Sequence, residues 1–534
     1  MRAVLAVLAA AAITLAGCGG KPADGCPPGQ RCLRAGNVSD PGSLDPAHSF
    51  VKQDQTVLND LIVGLTTFDA RAEPIPGMAE SWTVSPDGLF WRFRLRQAVW
   101  SDGHPVTAED FLFSLRRLVD PATGAGYAVL AYPIVNAEAV NQGKLPPTAL
   151  GVGAPDPMTV EIRLRHPAPY LPAVLAHYGV VPVPAHVVRK WGDAWTEPQH
   201  YVSNGPFRLV SWRLGDRIVL EKNPRFYDAA NVCLDRIEYF PTTDSISAER
   251  RVKRGELDLN SAFASNRIRY LTGRGRMGDY IRMHPWTDIH YLVFKMSDPA
   301  FADVRVRQAL SMSIDRAFIA RKLLGADQEP ADAFVPPGLG APPAAPDWAG
   351  LPLAERQARA RELLAAAGYG PGRPLRFELK HPIIAAPVPT AIQADWRAIG
   401  VQVTLTRVDT AVFFSDLQLG DFQVGITDWI ADYRDPTNFL NLMRSDQAAS
   451  NYSGYADPGY DRMLGEAEAS ADPARRAAIL QAAERRLLQA APIAPVFMNP
   501  SHNLVSPRVT GWVDNLDDVH PKRWVCVEPQ TAAR

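Results

Sequence analysis

After its first fifteen residues the 534-residue sequence holds no apolar run long enough to cross a bilayer, which takes about 20 residues. It also lacks charge bias. The 56 Lys and Arg stand against 57 Asp and Glu, a formal net charge of -1, which argues against nucleic acid and against a membrane held by electrostatics alone. Cysteine is scarce: Cys18, Cys26, Cys32, Cys233 and Cys526 are the five. None forms a Cys-x-x-Cys, and the 11 His are scattered without a neighbour at ligand spacing, so neither a metal nor another cofactor is expected. The familiar catalytic motifs are missing too. There is no His-Glu-x-x-His, no phosphate loop and no Gly-x-Ser-x-Gly elbow. Ser49-Phe50-Val51-Lys52 matches the Ser-x-x-Lys of penicillin-binding enzymes, but no Lys-Thr-Gly accompanies it, and the stretch reads as a surface loop. No repeat of fixed period occurs, which excludes solenoids and propellers. Aromatics and isolated carboxylates remain, and these suit holding a ligand more than transforming it. No catalytic residue is expected.

The N-terminus is the most specific feature present. Arg2 supplies a positive start, Ala3 to Leu15 an apolar run, and Leu15-Ala16-Gly17-Cys18 a small-residue cleavage site. This ending resembles the lipobox of bacterial lipoproteins. The resemblance implies a signal peptide over 1–18, lipid on Cys18, and a protein held to the outer side of a membrane by that lipid. Residues 19–32 begin with Gly, Pro, Ala and Asp and read as a tether. With Cys18 lipidated, four cysteines are left, an even number that fits an oxidising compartment and allows three pairings. Cys26 and Cys32 flank Pro27-Pro28-Gly29 and fit a small local loop, which leaves Cys233 to Cys526.

A chain this long implies two or three domains. Strands are expected at Phe90–Leu95, where rings and Leu alternate with Arg, and at 217–221 and 236–240. Helices are expected over 59–65, from Thr107 with Asp110 as a capping-box partner, from Asp303 through Leu324 to a stop at Gly325, over 353–367, and from Pro473 to about Leu488. Interleaved strands and helices indicate an α/β fold.

Gly77-Met78-Ala79-Glu80-Ser81-Trp82 opens a longer pattern. It runs through Ser85-Pro86-Asp87-Gly88, Phe93-Arg94-Leu95-Arg96, Trp100-Ser101-Asp102-Gly103 and Pro105 to Asp110. Tyr201 to Phe207, Asn223 to Tyr227, Phe301 to Arg316, Ala366 to Tyr369 and Trp429 to Thr437 follow in order. This series resembles the bacterial family 5 solute-binding proteins, the peptide-binding subunits of ABC importers, over roughly residues 36 to 526.

The resemblance implies a two-lobed periplasmic-binding-protein-like clamp with an additional smaller α/β domain. Lobe I would combine 33–62, 191–287 and 494–534; the accessory domain would be 63–190 and lobe II 288–493. Cys233 and Cys526 would share a lobe. The ligand would be a small peptide held between the lobes and passed to ABC permease and ATPase subunits, and the protein would act as a monomer. Asp432 stands where oligopeptide-binding relatives pair an Asp with the peptide ammonium. Such an ammonium needs an anionic partner once it leaves water. The backbone over 425–431, with Trp429, Ile430 and Ala431, would pair with an extended peptide. Tyr433, Asn204, and Phe50 in the loop 50–54 complete the expected site. Departures from that branch are Ile426 for a carboxylate-binding Arg, Thr410 for a pocket Trp and Phe50 for an acidic residue. Arg321, Lys322, Lys380 and His381 are candidate replacement cations. The rival readings are the same clamp for a nickel chelate, a sugar or an opine-like compound, a sensor or chaperone using it without transport, and a secreted lipoprotein hydrolase.

Overall fold

The computed structural model describes residues 26–528, apart from 262, 265–266, 274–276, 386 and 448–449. Cys18 and residues 19–25 lie outside these. The alternation at Phe90–Leu95 does what its period dictates: Trp91, Phe93 and Leu95 are buried while Arg92 and Arg94 point outward. This strand lies between Ala79–Val84 and Thr159–Arg163 in a four-stranded antiparallel sheet completed by Val152–Asp156. A seven-stranded sheet runs in the order Ile281–Pro285, Pro500–Val505, Leu259–Ser261, Cys32–Gly36, Arg236–Phe240, Arg217–Lys222, Phe207–Arg213. These two sheets share one continuous core, which runs from Leu33 through Phe93 and Trp195 to Val527.

A six-stranded sheet carries the other lobe, in the order Glu329–Pro330, Ile493–Met498, Asp288–Phe294, Val424–Ile430, Arg376–Pro382, Gln402–Val408. Its faces are packed separately, since Leu292 and Phe294 enter one core while Ile289, Tyr291 and Val293 enter the other. Helices cover both, so the fold is an α/β clamp of two lobes with a smaller domain on the first. We divide the chain by these sheets. Ile493–Met498 pairs with Asp288–Phe294, so the return to lobe I starts at Pro500 rather than at the expected 494. The chain thus passes between the large sheets twice, at Trp286–Thr287 and at Asn499. Asp288 accepts from the Asn499 N–H at 2.9 Å and ties the two crossings together.

Several local expectations need correction. The first α-helix is Lys52–Leu61, not 59–65, because Asp54 caps it by accepting from Phe50 and Val51 N–H groups. The expected helix from Asp303 to Leu324 is broken after Met312, and Asp315 caps a second start by accepting from Phe318 N–H. Gly325 does end it, in the left-handed conformation. Residues 26–32 are folded rather than tether, since Cys26 is bonded to Cys32 and Cys32 begins a strand. Cys233 is bonded to Cys526 within lobe I.

Candidate ligand-binding site

Asp432 follows the strand Val424–Ile430, and local hydrogen bonds hold it. The amide of Asn438 accepts from the Asp432 N–H at 3.2 Å and from Trp429 Nε1 at 2.9 Å, and donates to the Asp432 carboxylate at 3.4 Å. Ala431 N–H donates to Thr287 at the crossing between lobes, at 2.9 Å. Asp435 anchors the far end of the turn. It accepts both terminal guanidinium nitrogens of Arg476 at 2.7 and 2.8 Å, with the pair buried.

The segment so held lines a cavity of about 480 Å³ between the lobes. Trp429, Ile430, Ala431, Asp432 and Tyr433 form one wall; Phe50, Tyr127, Tyr170, His177 and Tyr178 face them from lobe I and the smaller domain. A second cavity, also of about 480 Å³, adjoins it and shares Tyr170, Trp429, Asp432 and Tyr433. The walls touch. Tyr433 stacks on Tyr170 with ring centroids 4.6 Å apart, and Arg434 reaches Glu73 and the Arg71 carbonyl at 2.5 and 3.0 Å.

The Asp432 side chain is 16% exposed, and among the described residues the basic side chain within 4.0 Å of it is His177. That partner carries no charge, because burial pushes the His177 imidazole down to about 3. Burial pushes Asp432 up to about 6, and only the Asn438 hydrogen bond opposes the shift. A carboxylate in this position is held out of water without a cation, which is costly until one arrives. Asp428 also lines the cavity, and burial raises it as well.

The strand beside Asp432 has an open edge. Val424–Ile430 pairs along its length with Asp288–Phe294, but Arg376–Pro382 meets it only at Val424 and Gly425. Beyond Gly425 no strand among the described residues pairs with that other edge, which leaves a template for an added strand.

Of the expected site residues, Asn204 does not belong. It is buried away from the cleft, accepting from Val63 N–H and donating to Val63 C=O, both at 2.9 Å, so both amide atoms are spent on structure. The candidate replacement cations fail for similar reasons. Lys380 is held by Asp416 at 2.9 Å, His381 by the Pro382 carbonyl, and Arg321 pairs with Glu329 on the surface. Neither these three nor Lys322 lines the cavity. Ile426 is buried in the sheet. Among the described residues, the Lys and Arg that line the cavity are Lys52 and Arg434, which sequence reasoning passed over. Lys52 pairs with Asp518, and Arg434 with Asp517 at 2.9 Å. The Ser-x-x-Lys match has no catalytic geometry, since Ser49 Oγ donates to the Asp45 carbonyl at 2.7 Å. The aromatic partners from residues 127–178 were also missed, since nothing local in sequence marks residues that meet Asp432 only across the cleft.

Comparison with known proteins places the chain among bacterial binding proteins. The model of the bacterial extracellular solute-binding proteins, family 5 Middle, matches residues 73–451. The probable deoxycholate-binding periplasmic protein YgiS of Escherichia coli K12 is 36% identical over 90% of this chain and 91% of its own. The periplasmic oligopeptide-binding protein OppA of Salmonella typhimurium is 34% identical over 92% of each. Among solved structures, OppA of Burkholderia pseudomallei superposes with a TM-score of 0.83 at 34% identity, over 93% of this chain and 99% of that one. The murein tripeptide binding protein MppA of Escherichia coli gives 0.84 at 32%, over 93% and 98%.

Proposed function

Since the chain belongs to family 5 of the bacterial extracellular solute-binding proteins, we propose that it captures short peptides between its lobes and hands them to an ABC permease driven by its ATPase. The family binds solutes outside the cytoplasm and is not one of enzymes, so the work is capture, enclosure and release. Leu15–Cys18 supports an anchor: lipid on Cys18 would keep the clamp at the membrane where the permease sits. Detergent-phase partitioning of the wild type against Cys18→Ser tests the anchor separately from the ligand.

The observation that carries the peptide reading is Asp432, a buried carboxylate with no charged partner among the described residues, next to an open strand edge. The ligand's α-ammonium meets Asp432 and its backbone extends along Ile426–Ile430. Main-chain pairing is indifferent to side chains, so specificity for sequence is broad. Asp432, Trp429, Ile430, Ala431, Tyr433 and Phe50 are the residues assigned to the ligand. The names of the relatives support peptides, with YgiS marking a different solute. A bile-acid carboxylate would meet the like charges of Asp432 and Asp428, which the cleft disfavours. Calorimetric titration with a mixed tripeptide pool and with deoxycholate decides between them. Binding of the peptides alone is the expected result; binding of deoxycholate alone would replace the peptide reading and leave the family assignment standing.

A further inference from the structure

The last loop of the chain brings Asp518 and His520 against His284, which ends the strand Ile281–Pro285 just before the first crossing between lobes. The three side chains are 4%, 6% and 7% exposed respectively. His284 Nδ1 lies 3.1 Å from the Pro285 carbonyl, so its proton sits there and Nε2 keeps a lone pair. That Nε2 is buried, finds no hydrogen-bond partner, and lies 3.4 Å from Asp518 Oδ1. His520 Nε2 approaches the same oxygen at 3.0 Å. One proton satisfies one ring against the carboxylate. It leaves the other as a lone pair facing an anion, whereas a cation satisfies both.

We propose that His284, Asp518 and His520 form a site for a divalent transition-metal ion, of the zinc type, at the crossing between the lobes. Two ligands about 2.05 Å from a tetrahedral ion lie roughly 3.3 Å apart, which the 3.0 and 3.4 Å separations match. Two imidazoles with one carboxylate suit zinc, nickel or copper better than calcium or magnesium. The outer contacts are those such sites need: the Pro285 carbonyl orients His284, Asn503 donates to Asp518 Oδ1 at 2.8 Å, and Lys52 holds the other oxygen. Lys52 and Lys522 are the charges that oppose the ion. Lys52 is already paired with Asp518, and Asp60 offsets Lys522. The site stands behind the ligand cleft, not in it, since neither His lines that cavity. The loop it would tie down accepts from Thr287 through the Leu516 carbonyl and holds Arg434 through Asp517. The ion would therefore brace the crossing about which the lobes move.

The test is a zinc titration of the full chain by calorimetry, with His284→Gln, His520→Gln and His186→Gln. The last removes a ring from the exposed Asp102–His104–His186 cluster, where both rings lie within hydrogen-bond distance of Asp102. Wild type and H186Q are expected to bind one Zn²⁺ with equal affinity, with H284Q and H520Q at least tenfold weaker. Cobalt substitution should give the intense visible bands of a tetrahedral site. That readout on the wild type stands even if a variant fails to fold. No zinc bound, loss in H186Q instead, unchanged affinity in H284Q and H520Q, or an octahedral cobalt spectrum would each overturn the site.

Discussion

Arg434 of lobe II and Asp517 of lobe I meet at 2.9 Å beside the ligand cavity, and Glu73 of the smaller domain joins the same guanidinium. Three parts of the molecule are thus clasped by one side chain on the turn that carries Asp432. Arg434→Gln removes the clasp without touching the proposed ammonium anchor. Arg434 and Asp517 are mostly buried but Glu73 is 58% exposed, so the loss should sit below that of a fully enclosed pair, at about 1.4 kcal/mol or tenfold. Stopped-flow Trp fluorescence should show peptide release about tenfold faster. An unchanged release rate would mean that the clasp does not hold the closed form.

Asp435 and Arg476 make the buried bidentate pair that sets the turn. Asp435→Ala leaves the guanidinium uncompensated under Tyr170, 5.8 Å from its ring. Breaking such a pair costs about 3–5 kcal/mol. Urea unfolding monitored by circular dichroism should lose that much, and a change under about 1 kcal/mol would contradict the account.

The sequence carried the fold further than it carried the site. Local signals worked where local physics decides: the Phe90–Leu95 alternation, the Thr107–Asp110 cap, with Asp110 accepting from Thr107 N–H at 2.9 Å, and Gly325 as a stop. The resemblance placed Asp432 and its neighbours because that segment is contiguous. Asn204 misled because a family landmark can be a structural amide. The roles of Lys52, Arg434, His177, Tyr127, Tyr170 and Tyr178 were not legible, since they arise from residues hundreds of positions apart brought together by the two crossings. The His284–Asp518–His520 cluster was hidden for the same reason: its members are separated by 234 and 2 positions, and the spacing rules for ligand sets read only short intervals.

Cys233 and Cys526 close a loop with a sequence separation of 293. Cross-linking so long a loop constrains the unfolded chain and stabilises by about 2–4 kcal/mol in typical cases. The Cys233→Ser/Cys526→Ser double variant should unfold at correspondingly lower urea, with peptide affinity kept, because both residues lie in lobe I away from the cavity. An unchanged midpoint would refute the stabilisation.

The Asp432 carboxyl, raised from 3.8 to about 6 by burial, makes peptide affinity depend on pH. Only the ionised form attracts an ammonium. Between pH 7 and pH 5 the ionised fraction in the free protein falls from roughly nine-tenths to a tenth, so affinity should fall about tenfold. Above pH 7 the free peptide's own α-amino group, of pKa about 7.7–8.0, loses its proton, so affinity should decline again by pH 8. Titrations at pH 5, 6, 7 and 8 check this, and a flat profile would show that Asp432 does not titrate against ligand.

The most direct test of the central claim is one calorimetric comparison. A short peptide and its N-acetylated twin are titrated into the wild type and into Asp432→Asn. Losing one partner of an enclosed charge pair costs about 2–5 kcal/mol, at least thirtyfold in affinity. The wild type should therefore bind the free peptide at least roughly thirtyfold more tightly than the acetylated one, and the variant should hardly distinguish them. The variant should fold as well as the wild type or better: above pH 6 the raised carboxyl is ionised at a cost to the folded state, which Asn removes. Equal affinity of the wild type for both peptides would contradict the assignment of Asp432 as the ammonium anchor.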